Sequence, residues 1–288
     1  MPSLRTLFAC AALGCAGCNA IVSPSEEQCG ADADCADRGF ENASCADGVC
    51  VENEAPDLVW GCLGSVVEPT PDPTKTLSFP IRLEFATNAN PVTDVTVDVC
   101  DKLDVACMTD DPDFPKGFSP DSNGVVDVQV PEGFDGFVRL TGPEIVNSRV
   151  YVGRPLVKAP SIEAIQLLRP GEVSSLALLF TGEDYDPTRG TTIDLVVDCQ
   201  GLAASGVTFE VPAADEATYE FYLINQSPVR PPDATETDKD GFGGFFNLKP
   251  GSTLVRAHRA SDGEYIGESS FQVLPDTLSY VLVSPTPL

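Results

Sequence analysis

One histidine, one tryptophan and two methionines are all that 288 residues hold of those types, and 17 basic residues stand against 44 acidic ones. Each scarcity narrows the function. A lone histidine, His258, leaves no pair for an H-E-x-x-H zinc site, and neither a G-x-S-x-G elbow nor a G-x4-G-K-[ST] loop occurs. The formal net charge of −27 repels phosphate backbones, which argues against nucleic acid as a partner and leaves cations, basic peptides and neutral sugars. Long apolar runs are missing too. A membrane-spanning helix takes about twenty apolar residues, and the stretch from Thr6 to Gly17 falls short of that.

Present instead are 24 glycines, 25 prolines and 42% hydrophobic residues. That composition suits packed cores of short strands joined by ordered turns, and the length allows about two domains.

Residues 1–17 read as a signal peptide, with Arg5 ahead of an apolar stretch rich in Leu and Ala. Ala12-Leu13-Gly14-Cys15 and Cys15-Ala16-Gly17-Cys18 both resemble a bacterial lipobox. Cys18 is the expected lipidation site, because it gives the longer apolar region and leaves an even number of cysteines after it. Cys15 is the alternative. The resemblance implies acyl chains on the cysteine, a membrane anchor through that lipid and, with Asn19 rather than an aspartate next to Cys18, an outer-membrane destination.

Residues 18–56 carry Cys29, Cys35, Cys45 and Cys50 among Gly, Ala, Asp and Asn, with almost no bulky apolar residue beyond Phe40. Such a segment has no core of its own, so disulfides of about 3 kcal/mol each would hold it. The spacings, C-x5-C, x9 and C-x4-C, do not repeat the paired C-x2–4-C pattern usual for zinc, and export favours oxidation. Among three pairings, Cys29–Cys45 with Cys35–Cys50 is the one expected. The pattern resembles small cysteine-rich repeats near the N-terminus of lipoproteins from myxobacteria.

The remainder contains one pattern twice. Asp121-Ser-Asn-Gly124 leads into Val126, Val128 and Val130, then Pro131-Glu-Gly133. Asp238-Lys-Asp-Gly241 leads into Phe242 to Leu248, then Pro250-Gly251. Upstream, Asp94 to Val99 echoes Gly206 to Val211. Alternating apolar residues and turn signals at short intervals predict β-sandwiches. The first module, 57–160, would begin with a strand at Leu58–Cys62, continue through Leu77–Phe85 and end near Tyr151–Val157. A connector, 161–190, would hold a helix over Ile162–Leu168 capped by Ser161 and a second with Val173, Leu176, Ala177 and Phe180 on one face. The second module, 191–284, would open with Ile193, Leu195 and Val197 alternating with Asp194 and Asp198. It would close with Phe271–Leu274 and Leu278–Val283, and place Tyr219–Ile224 inside a sheet. Thr237, Asp238, Gly241, Phe245, Pro250, Gly251, Val255 and Ala257 resemble the hallmark of carboxypeptidase regulatory-like domains. That likeness implies a transthyretin-like β-sandwich that accompanies or presents another activity. The expected fold is therefore all-β: two such sandwiches in tandem, a short helical connector and a small disulfide-rich N-terminal module.

In the β modules the repeat makes Cys62 and Cys199 equivalent. Cys100 and Cys107 either pair together, leaving Cys62 and Cys199 to join or stay free, or one of them takes Cys62. Asp238 and Asp240 beside Gly241 are candidate calcium ligands, as is the cluster Asp110, Asp111 and Asp113; the competing reading is an Asx turn that needs Asp238 and Gly241 for backbone reasons. His258 is expected on a strand surface. Trp60 is expected in a core rather than on a sugar-binding platform. No other cofactor is implied. The function that follows is a non-enzymatic envelope lipoprotein whose modules present or bind a glycan or protein. The alternatives are an accessory subunit of an envelope complex and a carboxylate-dependent hydrolase.

Overall fold

The computed structural model describes residues 29–40, 43–52, 57–159, 164–182 and 185–286. They belong to two compact units, residues 1–56 and 57–288. The signal segment with Cys15 and Cys18, and the Ser161–Ile162 pair, lie outside the described residues.

In the first unit a short helix, α1 (Asp32–Asp37), precedes a hairpin of β1 (Ala43–Ala46) and β2 (Val49–Glu52). The Asp34 carboxylate accepts the N–H groups of Gly30 and Ala31 at 2.7 and 2.9 Å. These bonds hold its pKa below the usual value. Disulfides join Cys29 to Cys45 and Cys35 to Cys50, so each ties the helical half to the hairpin. The buried apolar side chains described here are those of Cys29 and Cys35; cross-links stand in for a hydrophobic core.

The second unit is built from two copies of one strand plan. The first copy has β3 (Thr76–Phe85), β4 (Thr96–Asp101), β5 (Val125–Pro131), β6 (Gly136–Thr141), β7 (Ser148–Tyr151) and β8 (Ile165–Leu167). After helix α2 (Pro170–Thr181) the second has β9 (Gly190–Val196), β10 (Val207–Glu210), the added hairpin β11 (Tyr219–Ile224) and β12 (Ser227–Val229), then β13 (Phe242–Leu248), β14 (Gly251–Arg259), β15 (Tyr265–Val273) and β16 (Leu278–Val283). The pairing β5-β3-β8 in the first copy recurs as β13-β9-β16, and β4-β6-β7 recurs as β10-β14-β15. Each copy is thus a two-layer β-sandwich.

The sandwiches are not separate. β7 pairs in parallel with β16, and this seam makes one eight-stranded sheet in the order β12-β11-β13-β9-β16-β7-β6-β4. β10-β14-β15 covers one face of it, packing Val207, Phe209, Val255, Ile266 and Phe271 against Val196, Tyr222, Phe245 and Val281. The opposite face is covered at the other end by β5-β3-β8, where Phe79, Ile81, Leu83, Val126 and Val128 meet Val97, Val99, Val138, Leu140 and Val150. Behind β4 and β6 the loop after β4 closes the first face. Cys100 is bonded to Cys107, Arg139 pairs with Asp98 at 2.7 Å and donates to the Ala106 carbonyl, and the Arg149 guanidinium lies 4.5 Å from the Phe137 ring centre.

Several expectations are corrected. Leu58–Cys62 is a series of turns, not a strand. The Asp57 carboxylate accepts the N–H groups of Val59 and Trp60 at 3.0 and 2.9 Å, and this local bonding competes successfully with an extended ladder. Trp60 packs into the core of the second sandwich, and Cys62 reaches Cys199 there; with Cys100 bonded to Cys107, the first of the two pairings holds and the second does not, but Cys62 does not end a strand equivalent to that of Cys199. Ile165–Leu167 forms a strand beside β3 instead of a helix. The strand before Val157 ends at Tyr151. Helix α2 does form, with Pro170 in its first turn and the Glu172 carboxylate accepting the Arg169 N–H at 2.8 Å. Val173 and Ala177 are buried and Leu176 is half-buried.

Candidate functional site

Asp238 and Asp240 are used by the turn. The Asp238 carboxylate accepts the N–H groups of Asp240 at 2.9 Å and Asn225 at 2.6 Å, while its carbonyl accepts from Gly241 at 3.0 Å. Asp240 pairs with Lys239 at 2.6 Å. Asp111 accepts the Asp113 N–H at 2.9 Å, an Asx turn as well. Among the described residues the one group of three potential metal-ligand atoms that converges is Cys29, Cys35 and Cys50, and disulfides occupy those sulfurs.

His258 lies on β14, with Nδ1 3.3 Å from the Gly263 carbonyl oxygen, Nε2 3.8 Å from Glu210 and its ring edge-on to Tyr265. No hydroxyl or thiol bonds its ring among the described residues; the Thr208 hydroxyl donates to its backbone carbonyl at 3.4 Å. Trp60 is buried with Phe209 and Val207 in one cluster, so its ring faces no ligand.

A different feature gathers chemistry. Beside the β8 edge, on the face of the long sheet that β5-β3-β8 leaves bare, is a cleft of about 480 Å³. Its floor is Ile193 and Leu195 of β9, Leu223 of β11, Phe242 of β13 and Tyr280 and Leu282 of β16. All six are half-buried. Ile165, Gln166 and Glu84 form one wall; Gln226 and Asp240 stand on the other side. The Tyr280 hydroxyl donates to the Gln166 carbonyl, fixing the wall to the floor, and burial pushes the phenol's pKa up. Lower on the same face, α2 covers Phe221, Phe246 and Ile193 with Leu176. The cleft begins where that cover ends.

The repeat shows that this floor is specialised. In the first copy the outward residues of the matching strands are Ser78, Pro80 and Arg82 on β3 and Val125, Asp127 and Gln129 on β5. Ser78 donates to Asp127 at 2.6 Å, as on an ordinary wet surface. In the second copy Thr191, Ile193 and Leu195 take the β3 positions, and Phe242, Gly244 and Phe246 take those of Val125, Asp127 and Gln129.

Behind the floor lies a second unusual feature. Asp194 is fully buried between the layers; among the described residues it accepts only from the Thr192 hydroxyl, at 3.3 Å, and its other oxygen has no partner. Burial raises its pKa well above the carboxylate range, and nearby Glu220 adds to the shift. Glu220 is raised by burial too and accepts from Tyr222 at 2.5 Å. Sequence reasoning missed both the cleft and the buried acid; the alternation on β9 was visible, but not which set faces inward.

No protein-family model matches this chain, and no curated protein matches it. Among solved structures it is similar to the Bacillus anthracis TIE protein, with 11% identity over 73% of this chain and 34% of that one and a TM-score of 0.24. The chain therefore spans about a third of that relative's length. It is similar to the shaft pilin SpaA of Lactobacillus rhamnosus GG, with 10% identity over 74% of this chain and 99% of that one and a TM-score of 0.23. A carbohydrate-binding module from Eubacterium rectale, in complex with maltoheptaose, shows 10% identity over 73% of this chain and 98% of that one, with a TM-score of 0.27. Likeness at this level carries no functional argument.

Proposed function

We propose that this chain is an exported, lipid-anchored binding protein of the bacterial envelope, non-enzymatic, whose fused sandwiches hold the cleft outside the cytoplasm. The observation that carries the reading is the cysteine chemistry. All eight described cysteines sit in disulfides, a state kept in oxidising compartments and rare in the cytosol. The lipobox-like stretch ending at Cys18 supplies the anchor and Asn19 the outer-membrane address, as read from their resemblance to bacterial lipoproteins. The cleft supports binding rather than presentation alone, because its apolar floor and few polar groups have the character of ligand sites. No helix among the described residues is long and apolar enough to cross a membrane.

Labelling cells with a palmitate analogue tests the anchor. Label is expected in the wild type and in Cys15→Ser, in the outer-membrane fraction, and absent from Cys18→Ser. An unlabelled wild type overturns the anchor; label lost only in Cys15→Ser moves it to that residue.

A further inference from the structure

From the chemistry of its lining, we infer that the cleft binds an extended peptide segment of a cationic partner, one that alternates apolar and basic residues. The inference rests on the binding role proposed above and names the class of ligand. Three observations carry it.

The floor is mainly aliphatic: Ile193, Leu195, Leu223 and Leu282 flank Phe242 and Tyr280. Such a surface takes apolar side chains. Sugars stack on exposed aromatic faces, and the chain's one tryptophan is buried elsewhere. An extended segment suits such a floor, since its alternate side chains point one way onto a sheet face.

The walls offer what a peptide backbone needs. The side-chain amides of Gln166 and Gln226 line the cleft and make no hydrogen bond to other described residues. Each amide both donates and accepts, as the ligand's own backbone groups require.

Charge completes the match. Among the described residues the two carboxylates in the lining are Glu84 and Asp240, and no basic residue lines it. Each holds one external base through a single oxygen, Glu84 to Arg82 at 3.1 Å and Asp240 to Lys239 at 2.6 Å. The second oxygen of each has no partner among the described residues. Across the whole chain the net charge of −27 draws cationic segments in and repels anionic ones.

Calorimetric titration of the purified chain tests this with three probes: a blocked peptide alternating Leu and Lys, its Leu and Glu counterpart, and a cello-oligosaccharide. The Leu/Lys peptide is expected to bind, and the Leu/Glu peptide at least about tenfold more weakly. Leu195→Asn should lower affinity for the Leu/Lys peptide by about tenfold or more. Asp240→Asn should weaken it less and flatten its salt dependence. Because Leu195 and Asp240 are partly solvent-facing, both variants should fold, which their circular dichroism checks. Equal binding of both peptides, or indifference to Leu195→Asn, overturns the inference. Sugar binding that needs Leu195, without peptide binding, overturns it while leaving a binding protein in place. Self-association that Leu195→Asn abolishes, again without peptide binding, puts a second copy of the chain in the cleft and overturns it as well. A failed palmitate experiment leaves this titration untouched.

Discussion

Leu83 and Val196 occupy one position in two copies of the same sandwich. The Leu83 N–H donates to the carbonyl of Gly124 at 2.8 Å and the Val196 N–H to that of Gly241 at 3.0 Å. Both glycines end an Asp-x-x-Gly turn at positive φ, +76° and +73°. Both also lie against the strand they serve. A Cβ on Gly124 would come 2.4 Å from the Leu83 carbonyl oxygen, and one on Gly241 2.8 Å from that of Val196. Conformation and contact therefore penalise any side chain. Gly124→Ala and Gly241→Ala should each cost about 2 kcal/mol or more, read as a fall in the urea midpoint. A loss within a few tenths of a kcal/mol would mean that the turn relaxes and the glycine is not required.

The two disulfides of the second unit should differ in worth. Cys62–Cys199 spans 137 residues of sequence and Cys100–Cys107 only 7. Chain entropy assigns about 5 kcal/mol to the first and about 2.5 kcal/mol to the second. Cys62→Ala with Cys199→Ala should therefore lower stability by roughly twice as much as Cys100→Ala with Cys107→Ala. Matched denaturation curves of the two double variants check the ranking, and a reversed order would show that native packing, not loop closure, sets the effect.

Asp194 gives a pH dependence whose sign can be worked out. Its folded pKa is raised, chiefly by burial, above an unfolded value of about 3.9. Below that unfolded value both states are protonated and nothing is lost. As pH rises, the unfolded carboxylate ionises while the folded one stays neutral, so this residue's stability contribution falls until the folded pKa is passed. Asp215 and Asp262 act the other way. Arg189 and Arg259 hold their carboxylates down to about 2, so the stability they give is present above the unfolded value and lost as pH falls toward 2. Asp194→Asn isolates the first effect. Its urea midpoint should gain on the wild type as pH goes from 5 to 8, and a constant difference across that range would rule the buried acid out as the cause.

How much of this was visible in the sequence varies by element, for physical reasons. Turns are local, so Asp121 with Gly124 and Asp238 with Gly241 could be read directly, and so could the alternation of Val126, Val128 and Val130. Parallel pairing is not local. Nothing near Ile165 announces that β3 waits more than eighty residues earlier, and a short apolar stretch fits helix and strand alike. The β7–β16 seam was hidden for the same reason. On β9 the period was legible but not which set faces inward: Asp194 points between the layers and Ile193 and Leu195 point out, because the outward side of that strand carries the cleft. The cleft floor draws on four strands and its walls on β3, β8 and two turns, so no single window of sequence could contain it.

The seam should make the two sandwiches unfold together. Tyr151 of β7 reaches across it: its hydroxyl donates to the Gln272 carbonyl at 3.2 Å, and its ring lies 5.2 Å from Phe137 and 5.9 Å from Phe271. Phe137 belongs to the first copy and Phe271 to the second, so one side chain ties both. The chain supplies its own local reporter. Trp60 is the one tryptophan and sits in the core shared by Val207 and Phe209, so its fluorescence follows the second sandwich while far-ultraviolet circular dichroism follows every strand. In the wild type the two signals should give one coincident transition, the mark of a single cooperative unit. Tyr151→Phe removes the hydroxyl alone and should cost about 1 kcal/mol with the transitions still coincident. Tyr151→Ala empties a site bordered by both copies, should cost about 3 to 5 kcal/mol, and should separate the two curves. Wild-type curves that already separate would show that a continuous sheet does not couple the repeats.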